Sequence, residues 1–147
     1  AGAQTTLSAA GEAWSNGSGG TSGAIWGALL TAFGSALGDE EDASEEAIEK
    51  GLVQALEAVK RLGGASVGDK TMIDAFAPLV ETFTTTQGSL QERARAASEA
   101  AEAGAEATKE MVAKLGRARP LGEKSLGTPD PGAVSLTLLA KALAEQI

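Results

Sequence analysis

The chain is predicted to be all-α, an antiparallel helix bundle or barrel with about six helices. Three observations predict it. Apolar residues recur at steps of three and four along most of the 147 residues, which is the period of a helix face and not of a strand. Aromatic residues make up only 3%, so a core must come from Leu, Ile, Val and abundant Ala, a composition that favours closely approaching helices. Segments rich in Gly and Pro fall between the periodic stretches, where helices should begin and end.

Residues 2–16 carry Leu7, Ala10 and Trp14 at near-helical spacing and run into a Gly/Ser stretch that should end a first helix. Residues 21–37 resume the pattern with Ile25, Trp26, Leu29, Leu30, Phe33 and Leu37, with Thr21 or Ser22 as N-cap, and this helix should be well buried. Asp39-Glu40-Glu41-Asp42, with Glu45 and Glu46, precedes a third stripe of Ile48, Leu52, Leu56 and Val59. Acidic residues suit a first helical turn, so the run reads as a solvated helix start; it lacks the alternating ligands and central glycine of an EF-hand. Gly68-Asp69 is expected to open a fourth helix with Met72, Ile73, Phe76, Leu79, Val80 and Phe83 on its apolar face. Pro78 lies inside it, and because the apolar spacing continues across the proline, one bent helix is expected. Residues 89–115 form the longest pattern, whose face is mostly Ala and Gly, and this helix is placed in the middle of the bundle. Residues 116–132 hold too many glycines and prolines for regular structure, and a 17-residue loop of that kind is often functional. A last helix carries Val134, Leu136, Leu138, Leu139, Leu143 and Ile147.

Composition excludes whole classes of function. With 43% hydrophobic and 22% charged residues, the chain reads as one soluble domain spanning 1–147. A net charge of −8 argues against nucleic-acid or anionic-membrane partners, since a polyanion needs a basic footprint. Having no Cys and no His, the sequence contains no disulfide, no Cys or His zinc site and no His-based triad. No apolar run approaches the roughly 20 residues of a membrane span, and residues 1–12 do not read as a signal peptide, so the cytoplasm is the expected compartment.

The loops carry the chemistry. Glycines before a helix leave unpaired N–H groups at its positive end, so Gly19-Gly20-Thr21-Ser22-Gly23 is a candidate phosphate site, although it matches neither the Walker A nor the dinucleotide fingerprint. Four of the 12 Lys and Arg, namely Lys114, Arg117, Arg119 and Lys124, fall within eleven residues of the long loop. Arg117 could reach a phosphate bidentately; an ordinary solvated charge is the plainer reading. Asp130-Pro131-Gly132 reads as a turn and N-cap before the last helix, and a rigid capped turn is also a good wall for a planar base.

In this order and at these spacings, GGTSG (19–23), GDKTMIDAFAP (68–78), AEAGAEATKEM (101–111), GRA (116–118), LGEKS (121–125) and DPGA (130–133) resemble the nucleotide-binding, DhaL-type domain of dihydroxyacetone (glycerone) kinases. The resemblance covers nearly the whole chain. It implies an antiparallel eight-helix barrel that holds ATP or ADP with Mg2+ at one end, and a partner domain or subunit that holds the triose covalently on a histidine. Carried over motif by motif, it implies phosphate binding by Thr21, Ser22 and Arg117, nucleotide lining by Gly63 and Met72, and packing of Asp130, Pro131 and Gly132 around the adenosine. Read from spacing alone, Met72 belongs to the core.

The departures are as informative. Family members carry a G-D-x-D-H-G cluster whose aspartates hold magnesium, and these 147 residues contain none; Asp39 to Asp42 follow the glycine-rich helix rather than precede it. Arg119-Pro120 stands where the family usually has Ser-Tyr, and Thr128 where a His is common. With six expected helices against eight, an N-terminal part is expected to be missing, the chain is expected to be inactive alone, and uncovered apolar surface should produce pairing between copies or marginal stability. The leading reading is the ATP- or ADP-binding part of a kinase for a triose or related ketose. The alternatives are an ADP-holding subunit served by a phosphotransferase-system phosphocarrier, and a non-catalytic helical interaction domain that has lost its metal site.

Overall fold

Six α-helices, two short 3-10 segments and no strand form among the described residues of the computed structural model, which are 2–18, 20–40, 42–115 and 119–147. The all-α expectation holds. The chain divides into two compact units, Ala1–Gly64 and Ala65–Ile147. Among the described residues no helix is long and apolar enough to cross a membrane.

The first unit contains α1 (Ala3–Ser18), α2 (Gly20–Leu37) and α3 (Glu45–Gly63), with α2 packed on both neighbours. Their register is antiparallel. Leu7 meets Gly34, Gly11 meets Gly27 and Ser15 meets Gly23, so one number rises as the other falls; Gly51 against Phe33 and Gly63 against Ile25 repeat the pattern for α3. At the Gly11–Gly27 crossing, a Cβ on either residue would stand 2.7 Å from the other's carbonyl oxygen. Only glycine permits that approach, which lets the Trp14 and Trp26 rings stack with centroids 5.2 Å apart. Trp26, Leu29, Ala55, Leu56 and Val59 are buried, as the spacing on α2 and α3 requires.

Two expectations for this unit are corrected. Helix α2 begins at Gly20, so Thr21 and Ser22 stand inside its first turn instead of capping it. The acidic run does not start α3 either, because Ser44 is the N-cap, its Oγ accepting from the Ala47 N–H at 3.1 Å, with Glu45 and Glu46 in the first turn. Asp39 instead closes the start of α1. Its carboxylate accepts from the Thr5 N–H at 2.9 Å and the Thr5 hydroxyl at 2.6 Å, while the Gly38 carbonyl accepts from the Gln4 N–H at 3.0 Å. Those two Thr5 hydrogen bonds hold the Asp39 carboxyl below its usual pKa of 3.8.

The second unit contains α4 (Ile73–Thr85), α5 (Leu90–Ala107) and α6 (Pro131–Glu145). Helix α5 packs on both others and is antiparallel to each. Phe83 meets Arg93 and Asp74 meets Gly104 along α4–α5; Glu102 pairs with Lys141 at 2.7 Å and Thr108 reaches Asp130 along α5–α6. Small residues make α5 the central helix, with Ala97, Ala101 and Ala105 buried as expected. Opposite them lie Ile73, Phe76, Leu79, Val80 and Phe83 of α4. Arg93 closes the open end of that packing, its guanidinium donating to the Phe83 carbonyl at 2.9 Å and lying 4.2 Å from the Phe83 ring centroid.

Pro78 sits within one continuous α4, as the unbroken apolar spacing predicts. Other boundaries move. Helix α4 starts at Ile73 rather than at Gly68, because the Asp74 carboxylate draws residues 68–72 into a turn. Helix α5 stops at Ala107 rather than continuing to 115: the Thr108 hydroxyl donates to the Ala105 carbonyl, a 3-10 turn follows over Thr108–Glu110, and Met111 is extended. Within the breaker-rich loop, Arg119–Ser125 form helical turns interrupted at Gly122. On α6, Ala133, Leu136 and Thr137 are buried, whereas Leu138, Leu143 and Ile147 of the expected stripe are at least half exposed.

Candidate functional site

The candidate residues gather in two sets, one in each unit. In the first unit, Thr21 and Ser22 are exposed in the first turn of α2, after Gly20 turns the chain with φ 64°. Gly63, the last residue of α3, lies against Ile25, one helical turn beyond Thr21 on α2. The end of α3 therefore packs near the beginning of α2, with Gly63 against Ile25. Backbone N–H groups of a first turn have no acceptor within their own helix, so this corner offers donors and the positive end of the helix dipole to an anion.

The second set is built on the start of α6. Asp130 is its N-cap, with Oδ2 accepting from the Ala133 N–H at 2.9 Å, and Pro131 supplies the first helical residue with its φ already fixed. Both sequence readings of Asp130-Pro131-Gly132 can hold together, because the cap leaves Pro131 exposed and Gly132 without a side chain. Met72 is 7% exposed, consistent with its core assignment, and it also stands beside the cap: a Cβ on Gly132 would lie 3.4 Å from the Met72 Cβ. Burial pushes the Asp130 carboxyl above its usual value, and the Asp74 charge adds to this; the Ala133 and Gly132 N–H groups and the Lys70 charge work the other way. Arg117 lies outside the described residues.

What holds this set in place is a group of polar side chains that spacing did not reveal. Asp74, 3% exposed, accepts from the Gly68 N–H at 2.6 Å through Oδ1 and from the Thr71 N–H at 2.9 Å through Oδ2, which folds the 68–72 turn over the start of α4. Thr108 is fully buried, and its hydroxyl accepts from the Asp130 N–H at 2.8 Å. Ser125 Oγ accepts from the Ala113 N–H at 2.9 Å and donates to the Gly122 carbonyl at 2.7 Å. Lys70 is 3% exposed at φ 61°, and its ammonium donates to the carbonyls of Met111 at 3.2 Å, Thr128 at 2.6 Å and Ser125. The available signal was Lys70 itself, a lysine placed in the turn between a glycine and an apolar helix start, a position that a helix-opening reading treats as solvated.

Of the four basic residues of the long loop, Lys114 and Lys124 have described side chains. Lys114 is 3.9 Å from the Asp69 carboxylate and largely exposed, and Lys124 is exposed. Among the described residues no three Asp or Glu side chains gather where they could hold a metal ion.

The family model of the DAK2 domain matches residues 1–145. An L-erythrulose 1-kinase of Mycolicibacterium smegmatis is 51% identical over 152 residues, an alignment covering 100% of this chain and 26% of that protein. A D-erythrulose kinase of the same organism is 48% identical, covering 99% of this chain and 26% of that protein. The crystal structure of the dihydroxyacetone kinase from C. freundii in complex with AMP-PNP and Mg2+ superposes with a TM-score of 0.69 at 35% identity, over 99% of this chain and 24% of that one. The chain thus spans about a quarter of the length of each of these relatives. With all but its last two residues matched by the family model and its helices superposing on those of a dihydroxyacetone kinase, the chain belongs to the DAK2 domain family.

Proposed function

We propose that residues 1–147 belong to one nucleotide-binding domain of a kinase that phosphorylates dihydroxyacetone or a related short ketose. On this reading the ketose is held by another domain or subunit, and ATP is the phosphoryl donor. The observation that carries the reading is the Asp130-Pro131-Gly132 cap standing beside Met72, a capped helix start whose third residue has no side chain, in a chain half identical to an erythrulose kinase. The fused form, with the ketose-binding domain on the same chain, is favoured over a separate ADP-holding subunit because relatives aligned over essentially the whole sequence are about four times its length.

The residues present fit a nucleotide. Pro131 and Gly132 offer a flat, rigid surface to a base, and Asp130 is fixed by its own capping bond so that it cannot swing across that surface. Met72 backs the cap and stops it collapsing inward. In the first unit Thr21 and Ser22 offer hydroxyl and backbone donors to phosphate oxygens and Gly63 lets a ligand approach the neighbouring helix end; Arg117 carries a guanidinium, the group that pairs bidentately with phosphate. What the bound nucleotide supplies is the transferable phosphoryl group. Phosphoryl transfer also needs charge neutralisation by a metal, and the G-D-x-D-H-G aspartates are absent from these residues; on this reading the 147 residues bind nucleotide but do not transfer phosphate alone.

Calorimetric titration with ADP tests the proposal. Binding that Arg117→Ala weakens by about tenfold is expected, the size of a lost charge-assisted contact. Absence of ADP binding by the unaltered protein, with and without magnesium, would overturn it.

A further inference from the structure

Among the described residues Lys70 and Asp74 are the charged side chains that are buried, and the proposed chemistry uses neither. Lysine is almost never buried unless fully partnered, and an ammonium carries three hydrogens. Lys70 meets both conditions at once, because its three acceptors are the carbonyls of Met111, Ser125 and Thr128. No hydrogen is left for a phosphate. The residue therefore cannot act as a ligand in this arrangement, and it must act through the segments it holds.

Those segments are the ones that shape the second set of candidate residues. Lys70 belongs to the 68–72 turn that ends at Met72, and its acceptors lie just before the long loop (Met111) and within it (Ser125 and Thr128), Thr128 two residues before Asp130. Two further bonds tie the same strands of chain together: the Lys114 N–H donates to the Asp69 carbonyl at 3.3 Å, and the Gly127 N–H donates to the Lys109 carbonyl at 2.8 Å. The backbone at Lys70 lies in the left-handed region, φ 61°, which a side-chain-bearing residue rarely occupies. Glycine would suit that conformation better, and only a side chain with a long stem and three donors gives a reason for lysine there.

We propose that Lys70 is a positioning residue for nucleotide recognition: its ammonium clamps Met111, Ser125 and Thr128 to the 68–72 turn, and so fixes the Asp130-Pro131-Gly132 cap beside Met72 to form the wall that receives adenosine. This inference rests on the nucleotide reading above and goes beyond it by assigning the adenosine half of recognition to a residue that does not touch the ligand.

The test compares ADP with inorganic diphosphate, which shares the phosphates and lacks the adenosine. Titrations are run on the unaltered protein and on Lys70→Met, Lys70→Ala and Lys70→Gly, under conditions where circular dichroism shows each to be folded. ADP affinity is expected to fall about tenfold in all three variants while diphosphate affinity stays within about twofold. Lys70→Gly keeps no ammonium but relieves the left-handed backbone, so it should be more stable than Lys70→Ala and bind ADP no better. Equal weakening of both ligands, ADP affinity that follows stability from Ala to Gly, or unchanged ADP affinity in Lys70→Met would each overturn the positioning role while leaving nucleotide binding intact. Failure of the unaltered protein to bind ADP would instead overturn the nucleotide reading, and this inference with it.

Discussion

Replacing Gly104 by Ala sets two effects of opposite sign against each other. Inside an exposed helix the change is favourable by about 1 kcal/mol, because glycine loses more backbone freedom on folding than alanine. At Gly104 the new methyl would overlap the carbonyl oxygen of Asp74 and stand 3.1 Å from both the Asp74 carbonyl carbon and the Pro78 Cγ. That neighbour is backbone, so no rotamer change relieves the contact. The carbonyl is also the one whose helical donor is missing, since Pro78 has no N–H to give it. Relief must come from moving α5 away from α4 by roughly an ångström, a gap that forfeits a quarter to a half of the dispersion well of each contact it opens. The contacts at stake involve Phe76, Leu79, Val80 and Phe83 on one side and Ala97, Ala101 and Ala105 on the other, all buried. Overpacking costs typically run about 1–3 kcal/mol, and an immovable neighbour belongs at the upper end. After subtracting the propensity gain, a net loss of about 2 kcal/mol is expected, which is about 1 M in urea midpoint for a slope near 2 kcal/mol/M. Urea unfolding followed by circular dichroism measures it. Gly17→Ala serves as the control, since that glycine lies in α1 with nothing within 4 Å of its added Cβ, and it should gain a few tenths of a kcal/mol. A Gly104→Ala protein as stable as the parent would refute the close-approach argument.

Thr108→Val keeps the shape of a fully buried side chain but leaves the Asp130 N–H without its acceptor; a loss of about 1–3 kcal/mol is expected in thermal or urea unfolding, and a change below 0.5 kcal/mol would count against the bond. The two shifted carboxyls give opposite pH slopes. Asp39, lowered below 3.8, contributes stability that is full above that value and is lost as pH falls through its folded pKa, so Asp39→Asn should be missing that acid-side loss. Asp130, raised above 3.8, keeps its proton longer in the folded state, so stability should decline as pH rises from 3.8 through its folded pKa; Asp130→Asn, which still caps the helix, should remove that decline in a pH series of unfolding curves.

Much of the helical frame was legible because it depends on period and punctuation. The stripe Ile48, Leu52, Leu56, Val59 became α3, the Ala face of 89–107 became the central helix of its unit, and Asp130-Pro131 became a capped helix start. Where the reading failed, a polar side chain had captured backbone that the apolar spacing assigned to a helix. The Asp74 carboxylate takes the N–H groups of Gly68 and Thr71 and delays α4 by five residues; the Thr108 hydroxyl serves Ala105 and Asp130 and ends α5 early. Asp39 was read as part of its local acidic run, while its partner, Thr5, lies 34 residues away. Such bonds have no sequence period, and no count of spacing finds them. The candidate residues divide in the same way. Asp130 was found through its capping signature and Thr21-Ser22 through the glycines before them, but Lys70 has no local signature, because its acceptors are backbone carbonyls 41 to 58 residues away.

Irregular backbone inside a folded unit is permissible only if its N–H and C=O groups are paired, and helices solve that problem internally while loops cannot. The carbonyls of Met111, Ser125 and Thr128 are left to be satisfied by something other than a ladder. Apolar neighbours would leave them unpaired at a cost of about 1–3 kcal/mol each, and waters would leave them free to rearrange. A buried ammonium satisfies three at once and ties them to a single atom, so the carbonyls of Met111, Ser125 and Thr128 hold a fixed geometry. The same logic puts Thr108 and Ser125 inside, each bonding backbone on two sides. Every buried polar side-chain atom among the described residues finds a partner, which is what irregular backbone requires. The polar core of this unit therefore lies under its loops, and the precision of any site on those loops depends on Lys70, Asp74, Thr108 and Ser125 more than on the apolar contacts between helices.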